Sequence, residues 1–471
     1  MSASNARFHL LWTRIATVYC AILIIVYGIQ AFSPLRLNTD ASRLLTMAVS
    51  KYNGEGFLVE GKVDQFPIGY PWIVERLLKT GCASACTLCL LNLAFLALGL
   101  WVLRCWCLWA DLKTEHAVAF VLSSWVLAKF VAIPLTELPY FAASSLAIYF
   151  ACVFSKHSGG NKWWWCLASL FLAIVATLFR TVGLSLFPAL GLAIILHTDH
   201  CTALSYIRSR IKIIALMAIS VMIPASLIAF LLIRRTEWYA TQFSFKQSYF
   251  QSLLADANQN GFGKYLVTNL FYRLSEFGEL FCNIPLAKLP SIRPVFYLFG
   301  GFLWTLAIRG AWSLAKNRTM LPVSLYFLSY SGLMLFWPYF SVRFWLPMLS
   351  VLVVLVFSAL RESYSAPRII RYSIPLWAVC YLSLGGVAII YTTRLSLSGK
   401  NFSEVYGDGS MQMTYRFAFR NGYPVDMPKV QCRHLKLLRV FEPLAGGGLR
   451  IESTQPEQKP LGYLEGDPCF R

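Results

Sequence analysis

The chain has 471 residues, of which 57% are hydrophobic and only 14% charged. No water-soluble globular fold hides that much apolar surface, so lipid is the solvent for most of it. The net charge of +20 does not mark a nucleic-acid binder: the Lys and Arg residues sit mainly in short connections between apolar runs, where they set membrane topology and suit anionic headgroups.

About eleven apolar segments approach the length that a bilayer needs. They fall near 15–33, 82–103, 116–135, 138–154, 163–180, 182–197, 211–233, 294–312, 319–339, 343–360 and 372–392. The first is read as a retained helix, because no small-residue cleavage site follows it. The third and fourth nearly touch, as do the fifth and sixth. Each pair is expected to form a tight helical hairpin, broken at Pro134 and Thr136 and at Arg180 and Gly183.

With the N-terminus inside, the connections at Arg104 and Lys113, Lys156 and Lys162, Arg208 to Lys212, Arg309 to Arg318 and Arg361 to Arg371 all share its side. Each is basic, as cytoplasmic loops are. Two long loops, about 34–81 and 234–293, then lie outside with the tail from 394. The expected fold is all-α and polytopic. It consists of a membrane module over 1–393, whose first outer loop carries short amphipathic helices, and a small extracytoplasmic tail or domain over 394–471.

Most of the 13 cysteines lie in apolar runs, where a thiol acts as a small hydrophobe. Cys82, Cys86 and Cys89 form one helical stripe, read as packing rather than as a metal site. Cys432 and Cys469 lie in the polar tail and can pair if it is outside.

Four ionisable residues fall at outer ends of spans: Asp40, Glu137, Arg180 and Arg343. Charges at membrane depth are costly and face a cavity or a partner. Asp40 precedes an i, i+3/i+4 apolar pattern ending at Tyr52; it either caps that helix or serves as a general base. Glu137 follows Thr136, a candidate N-cap, and is either a dipole-favoured first-turn acid or an acceptor-orienting one. Arg180 and Arg343 either snorkel to the interface or clamp a phosphate. The turn Phe66-Pro67-Ile68-Gly69-Tyr70-Pro71 leads toward the second span and either only closes the loop or walls a cavity above Asp40, with Pro67, Tyr70 and Tyr52 as the expected wall. No GxxxxGK[ST] sequence occurs, so ATP-driven transport has no support.

In order, Asn38-Thr39-Asp40, this aromatic turn, Thr136-Glu137-Leu138, Arg180-Thr181-Val182-Gly183 and Arg343-Phe344-Trp345-Leu346-Pro347 resemble the GT-C superfamily of membrane glycosyltransferases. The nearest likeness is to protein O-mannosyltransferases and aminoarabinose transferases. The resemblance covers about residues 10–360. It implies an inverting transfer of sugar from a polyprenyl- or dolichyl-phosphate donor to a hydroxyl of a glycan, lipid or protein, on the extracytoplasmic side. Asp40 would be the base, Glu137 the second acid, and Arg180 and Arg343 the phosphate contacts. A divalent metal ion, if one is used, would sit between Asp40 and Glu137. Ala41 stands where O-mannosyltransferases have a second acid, which weakens the case for a protein acceptor. A bacterial inner membrane is favoured over endoplasmic reticulum, because sequons are sparse. The alternatives are a lipid-linked sugar flippase or transporter, a polysaccharide polymerase or ligase using Arg273 and Arg293, and a scaffold without chemistry.

Overall fold

The computed structural model describes residues 3–64, 66–157, 162–198, 261–286, 289–362, 368–398, 413–415 and 431–442. They form an all-α, multi-pass membrane protein. Among the described residues, six helical stretches are long and apolar enough to cross a bilayer: Trp12–Phe32, Ala85–Trp109, Glu137–Lys156, Pro290–Ala315, Val342–Arg361 and Ser373–Leu397. Three shorter apolar helices accompany them at Trp163–Phe179, Thr181–Leu196 and Leu321–Leu335. The expected segment at 211–233 lies outside the described residues.

In chain order, α1 is Ala3–Ile29, α2 Thr39–Tyr52, α3 Gly69–Lys79, α4 Ala85–Trp109, α5 Thr114–Leu122, α6 Trp125–Phe130, α7 Glu137–Lys156, α8 Lys162–Phe179 and α9 Leu186–Thr198. Then follow α10 Phe262–Cys282, α11 Arg293–Ala315, α12 Leu321–Leu335, α13 Leu349–Glu362, α14 Arg368–Ser398 and α15 Cys432–Phe441. The only sheet among the described residues is a two-stranded hairpin, Leu58–Val59 with Lys62–Val63. The helix of α7 and the stretch Val342–Arg361 are buried on nearly every side, while α1 and α14 present apolar faces outward, Ile24, Ile25, Val387 and Ile390 among them. That is the burial pattern of a bundle in lipid, where an apolar exterior costs nothing.

The expected span at 116–135 is instead two short helices, α5 and α6, broken at Ser123 and Ser124. The reason is a local set of partners. Asn283 donates from Nδ2 to the carbonyls of Ser123 and Tyr381, both at 2.8 Å, and its Oδ1 accepts the Trp125 N–H at 2.8 Å. Broken backbone at membrane depth persists only where such groups are satisfied inside the protein. A second asparagine, Asn92 on α4, donates to the carbonyls of Val131 and Ile133 at 2.9 and 2.8 Å. It fixes the irregular stretch that delivers Glu137.

The region 234–293 is no mere loop. Its described part holds α10, packed against α11 through two glycines. A Cβ on Gly278 would lie 2.2 Å from the Phe296 carbonyl oxygen, and one on Gly300 would lie 1.8 Å from that of Leu274. Only small residues let two backbones approach so closely. We expect Gly300→Val to force α10 and α11 apart and destabilise the protein by at least about 1–3 kcal/mol. The measurement is thermal unfolding in detergent; an unaltered Tm would contradict this packing.

The two ends of the bundle differ chemically. At one end Arg361 donates to the Ala110 carbonyl at 2.8 Å and pairs with Asp111 at 3.1 Å, and the Lys156 ammonium lies 5.7 Å from the Trp109 ring centroid. Three of the basic connections therefore cluster. Glu137 and Lys156 are the two ends of one helix of 20 residues, about 30 Å long. The Glu137 end is where the other charged residues gather.

Candidate active site

The residues at 34–81 form the roof of that end. Asn38, not Asp40, caps α2: its side chain accepts the Ala41 N–H at 2.7 Å. Asp40 is thus released from capping and sits in the first turn, where the helix dipole favours its negative charge. The aromatic turn leads into α3 rather than directly into the second span. Gly69 touches the end of α8; a Cβ there would lie 2.6 Å from the Leu178 carbonyl oxygen. This contact seats the roof beside Arg180, the residue that follows α8.

Thr136 makes no side-chain cap bond at the start of α7. Glu137 is buried there, at 3% exposure. Its Oε1 lies 2.6 Å from Arg180 Nη1 and 3.7 Å from Arg343 Nε. Arg343 Nη2 in turn donates to Asp40 Oδ2. The four residues singled out in the sequence therefore form one continuous ion network, Arg180–Glu137–Arg343–Asp40. The Phe344 ring lies beside both guanidiniums, 5.2 Å from Arg180 and 5.4 Å from Arg343.

A cavity of about 510 Å³ opens over this network. Asp40, Glu137, Arg180 and Arg343 all line it, with Pro67, Phe66, Lys129, Arg43 and Phe340. Tyr70 and Tyr52 do not. Tyr70 is fully buried in the packing of α3 near Cys89, and Tyr52 is half exposed at the far end of α2. Both were expected to wall the cavity. They miss it because α2 carries Tyr52 three turns away from Asp40, and because α3 starts at Gly69 and turns Tyr70 inward.

Four cations, Arg43, Lys129, Arg180 and Arg343, face the cavity against two carboxylates. Such a surface suits an anion. Asp40 and Glu137, between which a divalent cation would sit if one is used, are each paired with a guanidinium. Among the described residues no three His, Cys, Asp or Glu side chains gather as a metal-binding group, the cysteine stripe included. Cys86 and Cys89 lie on α4 as free thiols.

Sequence reasoning missed Lys129 and Arg43. Lys129 is an isolated cation in the apolar run Trp125-Val126-Leu127-Ala128-Lys129-Phe130. A charge in such a run was itself the signal. It lies 5.8 and 5.3 Å from the rings of Trp125 and Phe130. Arg43 pairs with Asp64 at 2.7 Å and stacks 4.7 Å from the Phe66 ring, which stiffens the rim.

Arg343 is delivered by an irregular stretch after α12, and α10 holds that stretch from behind. Arg273 is fully buried. It pairs with Glu276 at 2.6 Å and donates to the carbonyls of Trp337 and Tyr339 at 3.1 and 2.8 Å. Glu276 accepts the Ser341 N–H and the Trp345 indole N–H, both at 2.7 Å. Asn269 and Tyr265 bind the carbonyls of Leu335 and Phe336 at 2.9 and 3.1 Å. Arg273, one of the two arginines that a polymerase or ligase reading would use, is thus spent on structure.

No family model matches the chain, and no curated protein matches it. Among solved structures it is similar to ArnT from Cupriavidus metallidurans, both in the apo state and bound to undecaprenyl phosphate. In each case identity is 13% and the TM-score 0.46, over 91% of this chain and 71% of the other. At that distance the functional reading rests on the cavity's own side chains.

Proposed function

We propose that the cavity is the active site of a membrane glycosyltransferase that moves a sugar from a polyprenyl-phosphate donor to an acceptor hydroxyl on the extracytoplasmic side. The observation that carries this is the ion network. It places a carboxylate, Asp40, and two guanidiniums together in one cationic cavity, at the bundle end opposite three of the basic connections. The order of the motifs resembling GT-C enzymes agrees with it, and a bacterial inner membrane is the setting we favour.

The chemistry follows from the charges. Asp40 takes the acceptor hydroxyl proton as that oxygen attacks the anomeric carbon. The bond from the anomeric carbon to phosphate oxygen breaks, and the lipid phosphate leaves with the electron pair. One displacement inverts the sugar. The phosphate gains about one unit of negative charge on the way, and preorganised guanidiniums stabilise charge that develops in the transition state. Arg343 contacts Asp40; turning it to the phosphate frees Asp40 as a base. Buried Glu137 holds Arg180 in place, and it is the second acid of the cavity.

Binding of polyprenyl phosphate to the purified protein in nanodiscs tests the reading. Arg343→Ala should weaken it by roughly tenfold or more, the scale of one charge-assisted contact. An unchanged affinity would take Arg343 out of the phosphate site.

A further inference from the structure

The stretch that carries Asp40 is itself irregular. Residues 33–38 connect the end of the first membrane helix to α2 without helix or sheet, yet Leu35, Arg36 and Leu37 are buried. Buried backbone groups outside regular structure need partners from elsewhere, and here these come from 378 to 407 residues further along the chain. The Leu37 N–H donates to the Tyr415 hydroxyl at 3.0 Å, and that hydroxyl donates to the Leu35 carbonyl. The Leu35 N–H donates to Glu442 Oε1. Tyr415 is buried.

The tail is anchored around these two contacts. Gln431 N–H donates to the Thr414 hydroxyl at 2.9 Å, which ties its two described parts together. The helix α15 buries Leu435, Leu437, Leu438 and Phe441, and it packs on α2. Arg433 reaches Glu60 in the roof hairpin at 3.2 Å. Cys432, its first residue, takes part in a disulfide bond, and Cys469 lies outside the described residues.

We propose that the C-terminal segment is a clamp on the roof of the cavity, with Tyr415 and Glu442 acting as positioning residues that hold 33–38 and thereby aim Asp40. The inference rests on the reading of Asp40 as the base. Neither residue lines the cavity, so each acts through the backbone that Asp40 continues. The alternation of bonded residues, Leu35 and Leu37, gives a short extended stretch two fixed points on one side, as strand pairing would.

The experiment compares Tyr415→Phe, Glu442→Leu and Glu442→Gln with the full-length protein in nanodiscs, at pH 8. Burial pushes the Glu442 carboxyl up to about 7, so it is charged at that pH. Amide hydrogen exchange over 33–40 reads the clamp directly. Tyr415→Phe and Glu442→Leu should speed exchange by roughly tenfold, the worth of one or two lost hydrogen bonds. Both should lower kcat by roughly as much, with polyprenyl-phosphate affinity within about threefold of the parent. Glu442→Gln keeps an acceptor oxygen and should restore both. Unchanged exchange over 33–40 overturns the clamp; faster exchange with unchanged kcat overturns its positioning role. Asp40→Asn in the same assay separates the two ideas. Retained turnover there refutes the base, whatever the exchange data show.

Discussion

Asp40→Asn is expected to lower sugar transfer by at least roughly 100-fold, the low end of what a positioned base contributes, while leaving the bundle folded. The substitution is isosteric and keeps an acceptor for the Arg343 guanidinium, so the side chain can hold its place in the first turn of α2. What it loses is the ability to take a proton. Donor binding should change little, because the proposed phosphate contacts are Arg180 and Arg343. Single-turnover transfer from a labelled polyprenyl-phosphate sugar is the measurement. Full-rate transfer by a well-folded Asp40→Asn protein would end the assignment of Asp40.

Glu276→Ala should have the largest effect on the fold. Removing one partner of a buried ion pair leaves the other uncompensated, at a cost of about 3–5 kcal/mol. Here the loss spreads further, since Glu276 also accepts the N–H groups of Ser341 and Trp345. Thermal unfolding should shift markedly downward, and the stretch leading to Arg343 should exchange faster. Replacing both Arg273 and Glu276 by Met should recover much of the stability without recovering activity. The apolar pair tolerates burial, but it cannot bind the carbonyls of Trp337 and Tyr339. A Glu276→Ala protein as stable as its parent would show that the pair does not support this wall.

The four charged residues of the network were legible in the sequence for one physical reason. An ionised group beside lipid must have a partner, and Asp40, Glu137, Arg180 and Arg343 all fell at span ends on the same side. The aromatic turn was only half legible: Pro67 reaches the cavity, whereas the placement of Tyr52 and Tyr70 depends on where α2 and α3 begin and end. The break between α5 and α6 was not legible at all. Its cause is Asn283, some 160 residues further along, and hydropathy over a window does not see it. Lys129 was hidden by the same averaging, and α10 by its mixed composition. The docking of the tail depends on Tyr415 and Glu442, which have no local pattern to announce them.

The shared aromatic face of Phe344 has a further consequence. Two like charges crowd the same few ångströms, and what lets them do so is a flat electron-rich ring beside both, together with one deeply placed acid. Such an assembly behaves as a unit. Replacing Phe344 with Leu would keep the volume roughly but remove the ring, and the two cations would no longer settle independently of one another. The energetic effects of altering Arg180 and Arg343 should therefore fail to add, and the shortfall would measure how tightly the site couples its two hands.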